Sequence, residues 1–142
     1  DVGSGAGFPA VPLAVLLSEC RITALEVNQK KSLFLSEVKD ALSLENFAVA
    51  RQRFEGFDWS GFDLLTSRAL DRAGQMWAAN IEKLRTRQRL MLYSTPDLVS
   101  SLSETFPGEF QIETHPIPLA ENRIIALISV KTVKNGDQNR SY

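Results

Sequence analysis

The first nine residues carry the pattern most suggestive of chemistry, Asp-Val-Gly-Ser-Gly-Ala-Gly-Phe-Pro. Glycines let a backbone turn tightly and approach a ligand closely, and a helix that begins at Pro9 offers free N–H groups. A dinucleotide fingerprint would place its third glycine at Phe8 rather than at Gly7, and a phosphate loop would need Gly-Lys-Ser/Thr. The spacing therefore favours a nucleoside without phosphates and predicts S-adenosylmethionine. The alternative is a chance glycine-rich turn.

A second candidate residue, Glu26, lies 19 positions after Gly7, near the end of a predicted strand. An acidic side chain at that place can accept hydrogen bonds from both hydroxyls of a ribose. A solvated glutamate at the end of a strand is the simpler alternative. Because Glu26 follows the glycine pattern at this distance, we interpret it as the ribose contact of the cofactor.

Basic residues occur in two groups. Lys30 and Lys31 fall in the first turn of a predicted helix, where cations oppose the helix dipole at a cost of ~0.3–1 kcal/mol each. They are either solvated or paired with an anion such as an RNA phosphate. The second group consists of Lys83, Arg85, Arg87 and Arg89. These cations either complement the negative end of a helix dipole or bind phosphates.

The composition excludes several classes of protein. The chain has 142 residues of which 44% are hydrophobic, enough for a single globular core. Its one cysteine, Cys20, and one histidine, His115, exclude an internal disulfide and a Cys/His metal centre. No apolar run is long enough to predict a membrane span. With 16 basic and 17 acidic residues, any contact with RNA must come from a local patch.

Strand-length apolar runs alternate with segments of helical period, which predicts an α/β fold with a mainly parallel sheet. Asp1 and Val2 represent the end of a first strand, so we expect the chain to be N-terminally truncated. We expect one domain over residues 1–134 and a polar tail over 135–142. Helices are predicted from Pro9 and over 28–42, 72–84 and 96–105, and strands over 22–27, 47–50, 62–67, 89–93, 110–115 and 123–130. The last two strands should form an antiparallel hairpin at one edge. This order is typical of class I methyltransferases and fits a six-stranded dinucleotide-binding sheet less well.

Several segments together resemble the bacterial 16S rRNA guanine-N7 methyltransferases (RsmG, also called GidB). These are residues 1–13, Glu26 with Lys30 and Lys31, 53–55 and 62–69, which run in order over about the first half of the chain. The resemblance implies that Ser67 and Arg68 position the substrate. With such a substrate, Lys30 and Lys31 are further candidates for a contact with RNA. Phe54 and Glu55 would flank the adenine through backbone groups. The remaining implied cofactor contacts are Asp1, Gly3, Gly5, Gly7, Phe8 and Glu26.

The resemblance implies an enzyme that transfers a methyl group from S-adenosylmethionine to N7 of a guanine in 16S rRNA or in the small ribosomal subunit. N7 has a free lone pair, so no general base is expected. No metal is expected either, because Cys20 and His115 have no further Cys or His as partners. A cytoplasmic monomer without membrane association is the expected state. The chain departs from the family pattern at Ala10, which replaces Gly, and at Tyr93-Ser94, which replaces Lys-Gly. Tyr93-Ser94 and the missing N-terminal part favour a degenerate or truncated binding module as an alternative. A methyltransferase acting on a small molecule is another.

Overall fold

The computed structural model describes residues 1–68 and 76–131. Residues 76–78 are helical, and short 3-10 turns lie at Phe54–Gly56 and Ile81–Lys83. The strands are β1 (Ile22–Leu25), β2 (Phe47–Ala50), β3 (Leu64–Arg68), β4 (Arg89–Ser94), β5 (Phe110–Pro116) and β6 (Ile124–Val130). The helices are α1 (Ala10–Leu16), α2 (Gln29–Ala41) and α3 (Pro96–Thr105).

Val2 joins the two parts of the sheet. β1 pairs with β2 in one part, and the other part has the order β3-β4-β6-β5. Val2 forms parallel bridges to Leu25 on one side and to Ser67 on the other. The complete order is therefore β2-β1-Val2-β3-β4-β6-β5, in which β6 is antiparallel to β4 and to β5.

Two apolar clusters lie on opposite faces of this sheet. Ala24 and Leu25 are consecutive on β1 and belong to different clusters, and successive side chains of a strand point to opposite faces. Helices α1 and α2 cover one face, with Ala14 and Leu35 in its cluster. Helix α3 covers the other through Leu102. The result is a three-layer α/β/α arrangement.

Most predicted elements are confirmed, and the antiparallel edge hairpin is among them. Strand β3 starts at Leu64 rather than at residue 62, because Phe62 belongs to a loop whose carbonyl accepts a bond from the Gln88 side chain. The predicted helix over 72–84 is wrong beyond residue 78, where the chain forms a turn and then a 3-10 turn. Residues 72–75 of that helix and the predicted tail lie outside the described residues.

No helix in the described part of the chain combines the length and apolar character that a membrane span requires.

Candidate cofactor site

The loop after Val2 crosses the carboxyl end of β1. The N–H groups of Gly3 and Ser4 both donate to the Leu25 carbonyl, at 2.9 and 3.2 Å. Gly3, Gly5 and Gly7 have φ values of +70°, +59° and +90°, a region that L side chains rarely adopt. The glycines are therefore required by the backbone path itself.

The glycines differ in what surrounds them. A Cβ at Gly7 would lie 2.6 Å from Val11 Cγ2 and 3.0 Å from Leu35 Cδ2, so Gly7 allows α1 and α2 to pack closely against the loop. A Cβ at Gly3 would meet nothing within 4 Å among the described residues. At Gly5 the nearest atoms are ordinary contacts at 3.8 and 3.9 Å. Gly3 and Gly5 thus leave open space in front of the loop, where a ligand can approach the backbone.

Glu26 is bonded directly to this loop. It follows β1 and is only 6% exposed. Its Oε2 accepts the Gly5 N–H at 2.9 Å, and its Oε1 accepts the Asn28 N–H at 2.8 Å. A carboxylate offers about four lone-pair positions, so each oxygen retains capacity for another donor. The residues present therefore fit a ribose whose two hydroxyls donate to Glu26.

The sequence predicts Asn28 only as the N-cap of a helix, but the structure also brings Asn28 into contact with Glu26. It does cap α2, since its side chain accepts the Lys31 N–H at 3.1 Å. Its own N–H fixes the second oxygen of Glu26. The sequence does contain a signal for this contact. A glutamate at the end of a strand lies only two residues before an asparagine that caps a helix, so the Asn28 N–H is close to the Glu26 side chain.

Arg68 lies close to the same loop. It is the last residue of β3, it is exposed, and its Nη2 is 3.9 Å from the place where a Gly5 Cβ would stand. Ser67 has a different environment, because it is 1% exposed and its hydroxyl donates to the Val2 carbonyl at 3.3 Å. Arg68 therefore lies next to the residues predicted to bind the cofactor. The substrate-positioning role of Ser67 stays a prediction, and its observed contact stabilises the sheet.

Phe54 and Glu55 lie in the 3-10 turn after β2. The Phe54 side chain is buried and packs on Trp59 and Trp77, with ring centroids 5.7 and 4.9 Å apart. Glu55 is exposed. Because the Phe54 ring is used in the core, any adenine contact there would come from the backbone, as the resemblance implies.

The remaining predicted residues are distributed around the loop. Phe8 is 56% exposed beside the glycines, and Lys30 and Lys31 are exposed in the first turn of α2. The carboxylate of Asp1 accepts the Thr66 hydroxyl at 2.8 Å, which is a contact within the sheet. The cofactor role of Asp1 stays a prediction.

The structure separates the second basic group from this site. Arg85 and Arg87 precede β4, and Gly61 and Asp63, which share a surface recess with them, precede β3. The amino ends of these parallel strands lie opposite the edge that carries the glycine loop and Arg68. Among the described residues, no group of three or more His, Cys, Asp and Glu side chains is arranged to hold a metal ion.

Comparison with known proteins identifies the family. A family model described as rRNA small subunit methyltransferase G matches residues 1–105. The chain belongs to this family. Ribosomal RNA small subunit methyltransferase G of Helicobacter bizzozeronii is 40% identical over 105 residues, covering 72% of this chain and 59% of that protein. The protein of the same name from Stutzerimonas stutzeri is 41% identical over 116 residues, covering 80% and 53%. The chain thus spans somewhat more than half the length of these relatives.

Solved structures agree with the fold. The ribosomal protein L11 methylase of Lactobacillus delbrueckii subsp. bulgaricus has a TM-score of 0.75 at 18% identity, over 93% of this chain and 69% of that one. A mutant of MtNAS in complex with S-adenosylmethionine has a TM-score of 0.70 at 18% identity, over 91% and 52%. The fold of this chain is the class I methyltransferase fold, as its order of elements predicts.

Proposed function

We propose that this chain provides the cofactor-binding part of an enzyme that methylates N7 of a guanine in small-subunit (16S) ribosomal RNA. The buried Glu26 carboxylate held against the glycine loop is the observation that supports S-adenosylmethionine as cofactor. Membership of the small-subunit rRNA methyltransferase family supports the substrate. A ribosomal RNA substrate supports a cytoplasmic location for this activity.

The residues of the site divide the work. Glu26 holds the ribose, and Gly3 and Gly5 let the rest of the cofactor lie against the backbone. When bound, S-adenosylmethionine supplies a methyl group on a positively charged sulfur, which the lone pair of N7 accepts without a general base. Arg68, beside the loop at the end of β3, positions the RNA by charge. Catalysis then depends mainly on alignment of the two reactants.

Calorimetric titration of the chain with S-adenosylmethionine tests the cofactor, with NAD as the contrasting ligand. Binding of S-adenosylmethionine alone is the expected result, and binding of NAD alone would overturn the proposal. Methyl incorporation is then compared between small ribosomal subunits lacking this methyl group and free small metabolites. Transfer to metabolites would indicate a small-molecule enzyme, and binding without transfer would indicate the degenerate module.

Arg68→Ala tests the substrate contact. Loss of a charged hydrogen bond worth about 1.5–3 kcal/mol should lower RNA methylation about 10–100-fold while S-adenosylmethionine affinity stays nearly constant. Arg87→Ala is the matched control, because Arg87 is exposed near the amino ends of the parallel strands, opposite the ends that carry the glycine loop. Equal loss of methylation and cofactor affinity would show that Arg68 belongs to the cofactor site instead.

Lys30 and Lys31 extend the proposed RNA surface along the exposed start of α2. Removing one lysine–phosphate interaction should reduce the slope of log affinity against log salt by about 0.7–0.9. Lys30→Ala and Lys31→Ala should each show this change in binding to 16S rRNA. Lys39→Ala, at the other end of the same helix, should not. An unchanged slope in all three variants would show that Lys30 and Lys31 do not contact RNA phosphates.

A further inference from the structure

Tyr93 is the neighbour of Arg68 in the sheet. The two residues are partners in the parallel register of β3 and β4, so they lie on the same face of the sheet, with about 4.8 Å between the strands. Arg68 ends β3, and Tyr93 is one residue from the end of β4. Both residues therefore belong to the edge of the sheet that carries the glycine loop.

The Tyr93 ring takes no part in the aromatic packing of the core. Leu90 and Leu92 of the same strand are buried in the cluster covered by α3, and successive side chains of a strand alternate, so Tyr93 points to the other face. It is half-buried there. Within the described ranges, each stacked aromatic pair joins two other rings. Tyr93 thus keeps an aromatic face that a ligand can contact.

The order of the strands places Tyr93 and the cofactor loop on opposite sides of Arg68. Val2, β3 and β4 are consecutive in the sheet, and the glycine loop begins directly after Val2. The Arg68 guanidinium extends towards that loop, with its Nη2 3.9 Å from the place of a Gly5 Cβ. Tyr93 lies two strand spacings from Val2, a distance of about 10 Å. A base above Arg68 would therefore lie between the cofactor and Tyr93.

Methyl transfer to N7 creates a positive charge on the base. The N7 lone pair forms the bond to the methyl carbon, and the bond from that carbon to sulfur breaks with its electron pair left on sulfur. No proton moves, so the charge of the sulfonium passes to the purine. Strands β3 and β4 contain no acidic residue that could balance this charge. An aromatic face does attract a cation, and an attraction that grows along the reaction lowers its barrier.

We infer that Tyr93 stacks on the target guanine and stabilises the positive charge that develops there. This role, which rests on the proposed function, makes Tyr93 a catalytic residue. The family pattern described above has Lys at this position, so the aromatic contact distinguishes this chain from that pattern. Tyr93 then replaces one substrate contact by another and is not a sign of a degenerate site.

Tyr93→Leu and Tyr93→Phe test this role in methylation of small ribosomal subunits that lack the methyl group. Leucine removes the aromatic face, whereas phenylalanine keeps it. Tyr93→Leu should lower kcat about 2–30-fold with a smaller change in KM, because the contact strengthens as the charge develops. Tyr93→Phe should retain the original kcat. Met91→Leu, on the same face two residues earlier, is the matched control and should also retain it.

Nucleotide binding gives a readout that needs no turnover. Guanosine monophosphate and its N7-methylated form are titrated into the chain in the presence of S-adenosylhomocysteine, and NMR follows the Tyr93 ring protons. In mildly acidic buffer the methylated base is a cation, so the original chain and Tyr93→Phe should bind it about 2–30-fold more tightly than guanosine monophosphate. Tyr93→Leu should bind the two nucleotides equally.

The outcomes separate this role from the proposed function. Equal affinities of the original chain for the two nucleotides would overturn the role of Tyr93, and so would a preference that persists in Tyr93→Leu. Full methylation by Tyr93→Leu would also overturn this role alone. A chain that does not bind S-adenosylmethionine would overturn the proposed function and the role of Tyr93 with it.

Discussion

The Glu26 carboxylate accepts the Gly5 N–H at 2.9 Å, so the acid that would hold the ribose also fixes the glycine loop. Oε2 makes this bond to the loop, and Oε1 accepts the Asn28 N–H just before α2. Loop, strand end and helix start are thereby held by one buried side chain. Cofactor affinity and local stability should therefore depend on the same residue.

Glu26→Gln tests this dual role. An amide NH₂ cannot accept a bond, so either Gly5 or Asn28 loses its acceptor, and the charge is lost as well. Because hydrogen bonds to charged groups contribute about 1.5–3 kcal/mol, S-adenosylmethionine affinity should fall about 10–100-fold. Calorimetric titration measures the affinity, and thermal unfolding should show a lowered Tm. Glu55→Gln, at an exposed position, is the matched control and should change neither.

Gly7→Ala should destabilise the chain through packing. Its Cβ would lie 2.6 Å from Val11 Cγ2, and overpacking of this kind costs about 1–3 kcal/mol. Gly108→Ala provides the comparison, since Gly108 also has a positive φ, of +79°, but no described atom within 4 Å of the added Cβ. Urea unfolding should give a larger loss of unfolding free energy for Gly7→Ala. Equal losses would show that only backbone conformation matters at Gly7.

Gln88 links the loops at the amino ends of β3 and β4. Its side chain is 3% exposed and donates to the carbonyls of Trp59 and Phe62, both at 2.9 Å, while its oxygen accepts the Arg85 N–H. Gln88→Ala leaves these groups without that partner, at a cost of about 1–3 kcal/mol in the free energy of unfolding. Gln111→Ala, on the exposed edge strand, should stay within about 0.5 kcal/mol of the original chain. Urea unfolding of both variants measures the difference.

The buried amino group of Asp1 predicts a pH dependence of stability. Its pKa is lowered from 8.0 to about 6 by burial, so between these values the unfolded chain binds more protons than the folded one. Stability should therefore be lowest below pH 6 and rise towards pH 8, by roughly 2–3 kcal/mol in total.

Urea unfolding at several pH values checks this, with the N-terminally acetylated chain as control. Acetylation removes the titrating charge and keeps an N–H that can donate to Thr23. The acetylated chain should lose the rise. The same rise in both chains would assign it to other groups.

Local sequence patterns predicted most helices and strands, but they did not predict the tertiary contacts between them. The run Phe47–Ala50 is apolar, and β2 has those bounds, because an apolar run this short has the length of a strand and not of a buried helix. The start of β3 was predicted two residues early, because the Gln88 side chain holds Phe62 in a loop. Nothing near Phe62 in the sequence reports that contact.

The site shows the same division. The glycine spacing and Glu26 could be recognised from the sequence because they are local features of a strand and the loop beside it. The bonds from Gly5 and Asn28 to Glu26 depend on how the loop lies over β1. Likewise, the short distance between Arg68 and Gly5 follows from the position of Val2 between β1 and β3. These relations require the assembled sheet.

Within residues 1–68 and 76–131, the bridges of Val2 join the β2-β1 pair to the other four strands. The glycine loop begins at the next residue, so it lies at the junction of these two parts of the sheet. An empty loop should allow the β2-β1 unit to open independently at low denaturant, as native-state exchange can detect. A ligand that binds the loop and Glu26 together would raise the free energy of that opening and make both units unfold as one.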